Sequence, residues 1–396
     1  MKRARILYLD VPFENEAGGD KNRSRFLFES LRAQFDTDLV LIGRENSTGK
    51  PVSTHWPPLA LLPPLPAPFP HPAATPAFSP ADREKFLQLV RTHRYDAVFC
   101  RFTVGWELLQ SLATAAPETA VIVDVDMVSS RLVALTWAAN RSFKKRWFFF
   151  ESWKLRRFEQ CLFRQAWLFL FTNATELAEV RDLVAPQPAP GAFELLPNIM
   201  PRPADPTVTR QPVILFFGSL DSSANVDGFR FLVDAVLPRI EADLQRHGVM
   251  IHIAGKNPPA AFAERLRATG TDRVKLIGPV DSIERAIAEA QFVLLPLRIA
   301  SGTRTRILEA AAVGRAVVTT TIGAEGLDLG DTVFIGDTAE ALAVHTRKLL
   351  ENPGLAEAAG RRLRERSTAL YAATNLAADL AVRVEKFLQR RKGAAS

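Results

Sequence analysis

The chain has 396 residues, 47% apolar and 23% charged, the proportions of an ordinary folded protein with room for two or three domains that each bury a core. Its 50 Lys and Arg against 43 Asp and Glu leave a formal charge of +7 and a pI near 9.6, which points to an acidic partner: nucleotide, nucleic acid or anionic lipid. Cys100 and Cys161 stand far apart, which argues against a disulfide scaffold or zinc site. No apolar run approaches the roughly eighteen residues of a spanning helix, and the first residues lack a signal-peptide core, so a cytoplasmic setting is expected.

Ile6 to Leu9 reads as a short buried strand, a common opening for a doubly wound α/β domain. It leads through Pro12 to Gly18-Gly19 and then to a helix with Leu27, Leu31 and Phe35 on one face. Asp20, Lys21, Arg23 and Arg25 follow the glycines at once, so an anion is expected near that helix start. Leu39 to Ile42 is the next strand. Residues 51–80 are dense in proline, which removes backbone donors and fixes φ, so they are expected to form a surface excursion without helix or inner strand. Ser79-Pro80 then opens a helix, with a capping side chain and proline at the first position.

Strand signals recur at Ala97 to Phe99, Ala120 to Val125 and Trp167 to Phe171. Asp124 and Asp126 fall at the carboxyl end of the second of these and are expected to shape a substrate site, a plain polar strand terminus being the alternative. Residues 137–158 interleave cations with bulky aromatics, including Lys144, Lys145, Arg146, Trp147 and Phe148. The four apolar positions 147–150 point all the way round a helix, so one core does not bury them all. The pattern suits an anionic membrane boundary. Base stacking in a basic groove, a buried aromatic helix with a solvated flank, and a homodimer face compete with that reading.

Pro201, Pro203, Pro206 and Pro212 mark an inter-domain linker, and a second α/β pattern restarts at Val213 to Phe217. Asp337 and Glu340 resemble a capping box for a helix through Leu350. Leu376, Leu380, Val384 and Leu388 line one face of a last helix. The expected domains are therefore 1–200, 201–375 and a closing helix, 376–396.

The most informative stretch is Ile299 to Glu309, IASGTRTRILE. The apolar run Phe292 to Pro296 precedes it and an alanine-rich helix follows, so Ser301, Gly302 and Thr303 form the turn into a helix N-terminus. The first amides of a helix lack internal partners and carry the positive end of its dipole, which suits a phosphate. Arg304 and Arg306 add charge, and Glu309, a turn further in, is placed to accept hydrogen bonds from ribose hydroxyls.

The succession Phe216-Phe217-Gly218-Ser219, Ile253-Ala254-Gly255, Leu276-Ile277-Gly278, the 299–309 turn and Gly323-Ala324-Glu325-Gly326-Leu327 resembles the nucleotide-binding half of family-4 glycosyltransferases of the GT-B fold. It covers residues 211–371 well; Gly18-Gly19 and Leu196-Pro197-Asn198 extend it weakly into the first half. The resemblance implies two Rossmann-like doubly wound domains facing across a cleft, with the last helix crossing back to the first. It implies a retaining, metal-independent hexosyltransferase that takes a sugar from a UDP- or GDP-sugar and passes it to a glycan or lipid-linked acceptor, with no cofactor. Gly218 and Ser219 would approach the diphosphate, Gly278 and Val280 would lie beside the base, and Gly18 and Gly19 beside donor or acceptor. Many relatives place an arginine and a lysine after the first of these glycines, where this chain has Ser219 and Asn225, so more weight falls on Arg304 and Arg306. Glu309 matches the second glutamate of the family's pair, whereas Ser301 stands in the first position. Asp124-Val125-Asp126 looks like the DxD metal motif of the other large glycosyltransferase fold, but it lies in the wrong half for that role.

A degenerate member that binds nucleotide and acts as an assembly or membrane partner is the main alternative, motivated by Ser301. A dinucleotide-dependent oxidoreductase is disfavoured because neither half opens with G-x-G-x-x-G. A sugar-nucleotide epimerase finds no acidic pair to speak for it, and nucleic-acid binding rests on net charge alone. The histidines, His252 in a strand among them, carry no catalytic assignment.

Overall fold

The computed structural model describes residues 3–12, 19–43, 58–66, 76–139, 146–185, 191–205, 207–299, 301–302 and 305–395; the side chains of 19–20, 139, 146–149 and 394–395 are excepted. The chain divides into two compact units. The first comprises Met1–Ala134, Phe143–Pro197 and Thr374–Ser396, and the second Leu135–Ser142 and Asn198–Ala373.

The first unit is built on seven parallel strands: β1 (Arg5–Asp10), β2 (Asp36–Ile42), β3 (Ala60–Leu62), β4 (Ala97–Arg101), β5 (Ala120–Val125), β6 (Leu168–Phe171) and β7 (Ala192–Leu195). They lie in the order β3-β2-β1-β4-β5-β6-β7. β1, β4, β5 and β6 are nearly continuous apolar runs, and all but the first residue of β1 are buried, as strands covered on both faces require. Helices α1 (Gly19–Gln34), α2 (Pro80–His93), α3 (Trp106–Ala115), α4 (Ser129–Ala139), α5 (Arg146–Phe163) and α6 (Ala174–Val184) connect them. Leu27, Leu31 and Phe35 are buried as their spacing predicts. Ser79 caps α2 by accepting from the Asp82 amide at 3.0 Å, with Pro80 in the first turn. The proline-rich stretch does contribute a strand. β3 lies at the sheet edge against β2, where proline is tolerated, so the excursion is tied down over three residues.

The second unit has six parallel strands: β8 (Val213–Phe217), β9 (Met250–Ala254), β10 (Val274–Gly278), β11 (Phe292–Leu295), β12 (Val317–Thr319) and β13 (Phe334–Ile335), ordered β10-β9-β8-β11-β12-β13. Its helices are α7 (Ser223–Phe231), α8 (Leu237–Arg246), α9 (Ala260–Thr269), α10 (Ile283–Glu289), α11 (Thr305–Ala312), α12 (Thr321–Ala324), α13 (Ala339–Glu351) and α14 (Pro353–Tyr371). A π-helical turn, Leu232–Val236, joins α7 to α8 just before Pro238, whose ring has no N–H to give. The cap of α13 is Thr338, which accepts from the Ala341 amide at 3.1 Å. Asp337 instead accepts from the amide and hydroxyl of Thr321, so the expected capping box gives way to a tie between two loops.

Helix α15 (Ala373–Ala395) belongs, from Thr374 on, to the first unit. Leu376, Leu380, Val384 and Leu388 are its buried face. Arg391 donates to the Pro117 and Ala166 carbonyls, Arg383 pairs with Glu194, and Lys392 with Asp96. Among the described residues no helix is long and apolar enough to cross a membrane.

Candidate functional site

In the second unit the chain runs outward from β8 to β9 and β10, then returns to lay β11 on the other side of β8. Such a reversal leaves a crevice at the carboxyl ends of the two central strands, where open α/β sheets bind their ligands. The loops after β8 and β11 meet there.

The β8 loop turns at Gly218, with φ at +146°. A Cβ there would stand 2.7 Å from Asn225 Nδ2 and 2.9 Å from Arg306 Nη1, so only glycine leaves both side chains in place. Its amide donates to the Ala254 carbonyl at 3.1 Å, and the Gly255 amide donates to Gly278 at 2.8 Å, which stitches the ends of β8, β9 and β10 together. Ser222 caps α7, the helix that follows. Ser219 is exposed; its hydroxyl donates to Asp221, and Asn257 reaches the same carboxylate. Val280 is half-buried against the core.

After β11 the chain passes Leu297 and Ile299, both fully buried, and turns at Gly302 with φ at +70°. Ser301 is buried. Thr303 and Arg304 lie outside the described residues. Helix α11 follows, and it is held by Ile307, Leu308 and the alanines 310–312, all buried. Its first turn sends Arg306 across to β8, where Nη1 donates to the Phe217 carbonyl at 3.1 Å and to Asn225 Oδ1. Asn225 in turn donates to the Ser219 carbonyl at 2.6 Å. Arg306 therefore brings a cation to the β8 loop, where Ser219 and Asn225 carry none.

Glu309 lies one turn further along α11. Protein surrounds it closely while part of its surface stays open, and this burial raises its pKa, opposed by the charge of Arg306. Among the described residues no group donates a hydrogen bond to its carboxylate. Such an acceptor, beside a helix N-terminus and within reach of solvent, can take hydroxyl donors from a ligand.

Two residues that the sequence reading missed complete this corner. Arg298 pairs bidentately with buried Asp227 of α7, at 2.7 and 3.0 Å, and its guanidinium covers the Phe231 ring at 4.4 Å. This clamp ties α7 to the strand end that feeds the turn. A hint was present in a lone aspartate on an otherwise apolar helix face, but the partner lies 71 residues away.

The first unit treats its acidic pair differently. Asp124 is fully buried, and both its oxygens accept from Arg23 and Arg101, themselves fully buried. The two guanidinium groups hold its carboxyl below the usual range despite burial. Asp124 thus keeps no exposed surface of its own and is answered within the protein by its two arginine partners. Arg23 likewise turns inward, to Asp124 and to the carbonyls of Leu196 and Pro197, and Lys21 donates to the Pro12 carbonyl; Arg23 is lost to the anion site expected at the start of α1. Asp126 keeps 14% of its side chain exposed, 3.6 Å from Arg101. Tyr8 donates to Asp10, whose carboxyl burial pushes up to about 6. Gly18 lies outside the described residues, and Gly19 is described only as the first residue of α1.

Of the aromatic, basic segment, Lys144 and Lys145 lie outside the described residues, as do the side chains of Arg146, Trp147 and Phe148. The rest of α5 divides: Leu155, Phe158, Leu162 and Phe163 are core, whereas Phe150 and Trp153 are exposed.

Residues 211–352, the part of the chain that holds this corner, match the family described as Glycosyl transferases group 1. No curated protein sequence matches the chain. Sucrose-phosphate synthase from Thermosynechococcus elongatus shares the architecture with a TM-score of 0.67, 19% identity and full coverage of both chains. HepE from Anabaena, solved with UDP and glucose, gives 0.65 and 14% over 97% of this chain and 100% of its own. A glycosyltransferase from Rickettsia africae gives 0.66 and 12% over 98% and 99%. The protein has the two-domain α/β architecture of GT-B glycosyltransferases.

Proposed function

We propose that the protein moves a sugar from a UDP- or GDP-sugar to a glycan or lipid-linked acceptor with retention of anomeric configuration, in the synthesis of cell-surface polysaccharide or glycolipid. The observation that carries this reading is the meeting of three features at one strand-order reversal: the mouth of α11, the Arg306-braced Gly218 loop, and Glu309 with no hydrogen-bond donor among the described residues. The first amides of α11 would hold the diphosphate, with Arg306, and Arg304 by its place in the sequence, balancing charge as the sugar–oxygen bond breaks. The ribose hydroxyls would donate to Glu309. The acceptor oxygen bonds to the anomeric carbon on the face the diphosphate leaves, and its proton passes to the departing phosphate oxygen. No protein base is needed in this scheme. Fixed amides and guanidinium charge supply what a bridging cation supplies elsewhere, so the reading includes no metal. That HepE was solved with UDP and UDP-glucose favours a uridine donor.

One observation favours a second reading. Ser301 occupies the position of the family's first glutamate and is buried, so a non-catalytic nucleotide binder is the alternative. Thermal-shift titration with UDP, GDP, ADP and their sugar conjugates tests the site itself: one base should raise the unfolding midpoint, and none doing so would sink both readings. Donor turnover in wild type and Glu309→Ala then divides them. Turnover lost in the variant supports transfer, and equal background in both supports the binding role.

A further inference from the structure

We infer that the outward face of α5 docks the protein on an anionic lipid surface. The helix advances 100° per residue, which places Phe150, Trp153, Arg157, Cys161 and Arg164, just past its end, along one line. All five are exposed, Phe150 at 60% and Trp153 at 52%. Of the two carboxylates of the helix, Glu159 falls on the opposite side and Glu151 on a flank, and both are buried. Glu159 is spent on the amide and hydroxyl of Ser130 at the start of α4, and Glu151 pairs with Lys154. The line thus offers aromatics and cations with no carboxylate among them. On the flank, α6 brings Glu179 and Asp182 to a groove shared with Arg156, and Glu179 is held by Arg131. Arg156 is therefore left out of the proposed contact.

An indole beside a guanidinium is suited to the level of lipid headgroups, the ring in the acyl boundary and the charge on the phosphate. The guanidinium of Arg157 stands 5.1 Å from the Trp153 ring and covers one face of it. That arrangement obstructs the sandwiching of a nucleobase and leaves the ring edge for lipid, which favours a bilayer over single-stranded nucleic acid. Each arginine near an anionic surface is worth about fivefold in partitioning.

The test uses the full chain labelled at Cys161 with an environment-sensitive probe, since Cys100 is buried and Cys161 is on the line. At low salt it should float with phosphatidylglycerol–phosphatidylcholine vesicles but not with phosphatidylcholine alone, and the probe emission should shift to the blue. Arg157→Glu with Arg164→Glu should lower the partition coefficient by about 25-fold or more. Arg157→Lys with Arg164→Lys should retain most of it. Phe150→Ser with Trp153→Ser should abolish the blue shift while nucleotide-induced thermal shifts persist, which keeps this inference separate from the proposed function. Failure to float with anionic vesicles overturns it. So does a probe shift without lipid that follows dimer formation, or binding of single-stranded DNA that depends on the same residues.

Discussion

The two sheets reverse their strand order beside their first strand in the same way, and the two reversal points are furnished in opposite ways. In the first unit, Arg23, Arg101 and Asp124 fill the strand ends with a knot of charge fully withdrawn from solvent. In the second, Arg306 reaches neutral oxygens of the β8 loop, and Glu309 is left with an open edge and, among the described residues, no donor. Charge answered within the protein makes structure, whereas an acceptor left unanswered beside a helix mouth makes a place for a ligand. Two motifs that look equally functional in sequence thus have different fates.

The largest expected effect falls on the closed knot. Asp124→Ala would leave two buried guanidinium groups without their shared carboxylate, a defect of about 3–5 kcal/mol. Urea unfolding should read that loss directly. If the variant instead keeps its stability and loses only acceptor turnover, Asp124 is functional after all and the comparison breaks. A second test concerns the pH response of Asp10, a buried carboxyl that feels the charge of Arg101 from beside the knot. Asp10 titrates near 6 in the folded protein against an ordinary value of 3.8, so the native state holds this proton more tightly than the unfolded chain. Its contribution is present below the ordinary value and lost as pH rises to about 6, an effect of about 3 kcal/mol. Asp124, with its pKa lowered, works in the opposite sense and is lost in acid. Asp10→Asn should remove the fall in stability between about pH 4 and 6, and an unchanged profile would show that Asp10 is ordinary.

Much of this was legible in the sequence because it is local. Continuous apolar runs gave the central strands, Ser79-Pro80 gave a helix start, and the spacing from Leu376 to Leu388 gave a buried face. The turn before α11 was legible for the same reason. What escaped was pairing at a distance. Nothing near Asp124 announces Arg23, 101 residues before it, and nothing near Asp227 announces Arg298. Edge strand β3 escaped because proline signals exclude a central strand but not a short edge one. The role of Arg306 was half legible: its charge could be read, but not that it would brace the glycine loop 89 residues earlier.

In the open site the expected ratio of effects reverses. Glu309→Gln removes a carboxylate that burial already disfavours, so stability should change by less than about 1 kcal/mol. Affinity for the nucleotide should fall about tenfold as a charged acceptor becomes a neutral one. Calorimetric titration beside a melting curve separates the two quantities. A variant that melts early and binds normally would mark Glu309 as packing.

The smallest expected effect is the most specific. Arg306→Lys keeps the charge but gives up the planar fork that serves the Phe217 carbonyl and Asn225 together. The amides of Gly218 and Ser219 would lose part of their support, because Asn225 holds the Ser219 carbonyl only while its own oxygen is engaged. Nucleotide affinity should drop about fivefold, the worth of one ordinary hydrogen bond. Asn225→Ala should cost a similar amount, and the double variant should cost little more than either alone, since both changes cut one chain of contacts. Full additivity would mean that Arg306 acts on the ligand by charge and leaves the loop to itself. The second site would then hold a ligand because its cation meets a phosphate directly, and the bracing of Gly218 would be incidental.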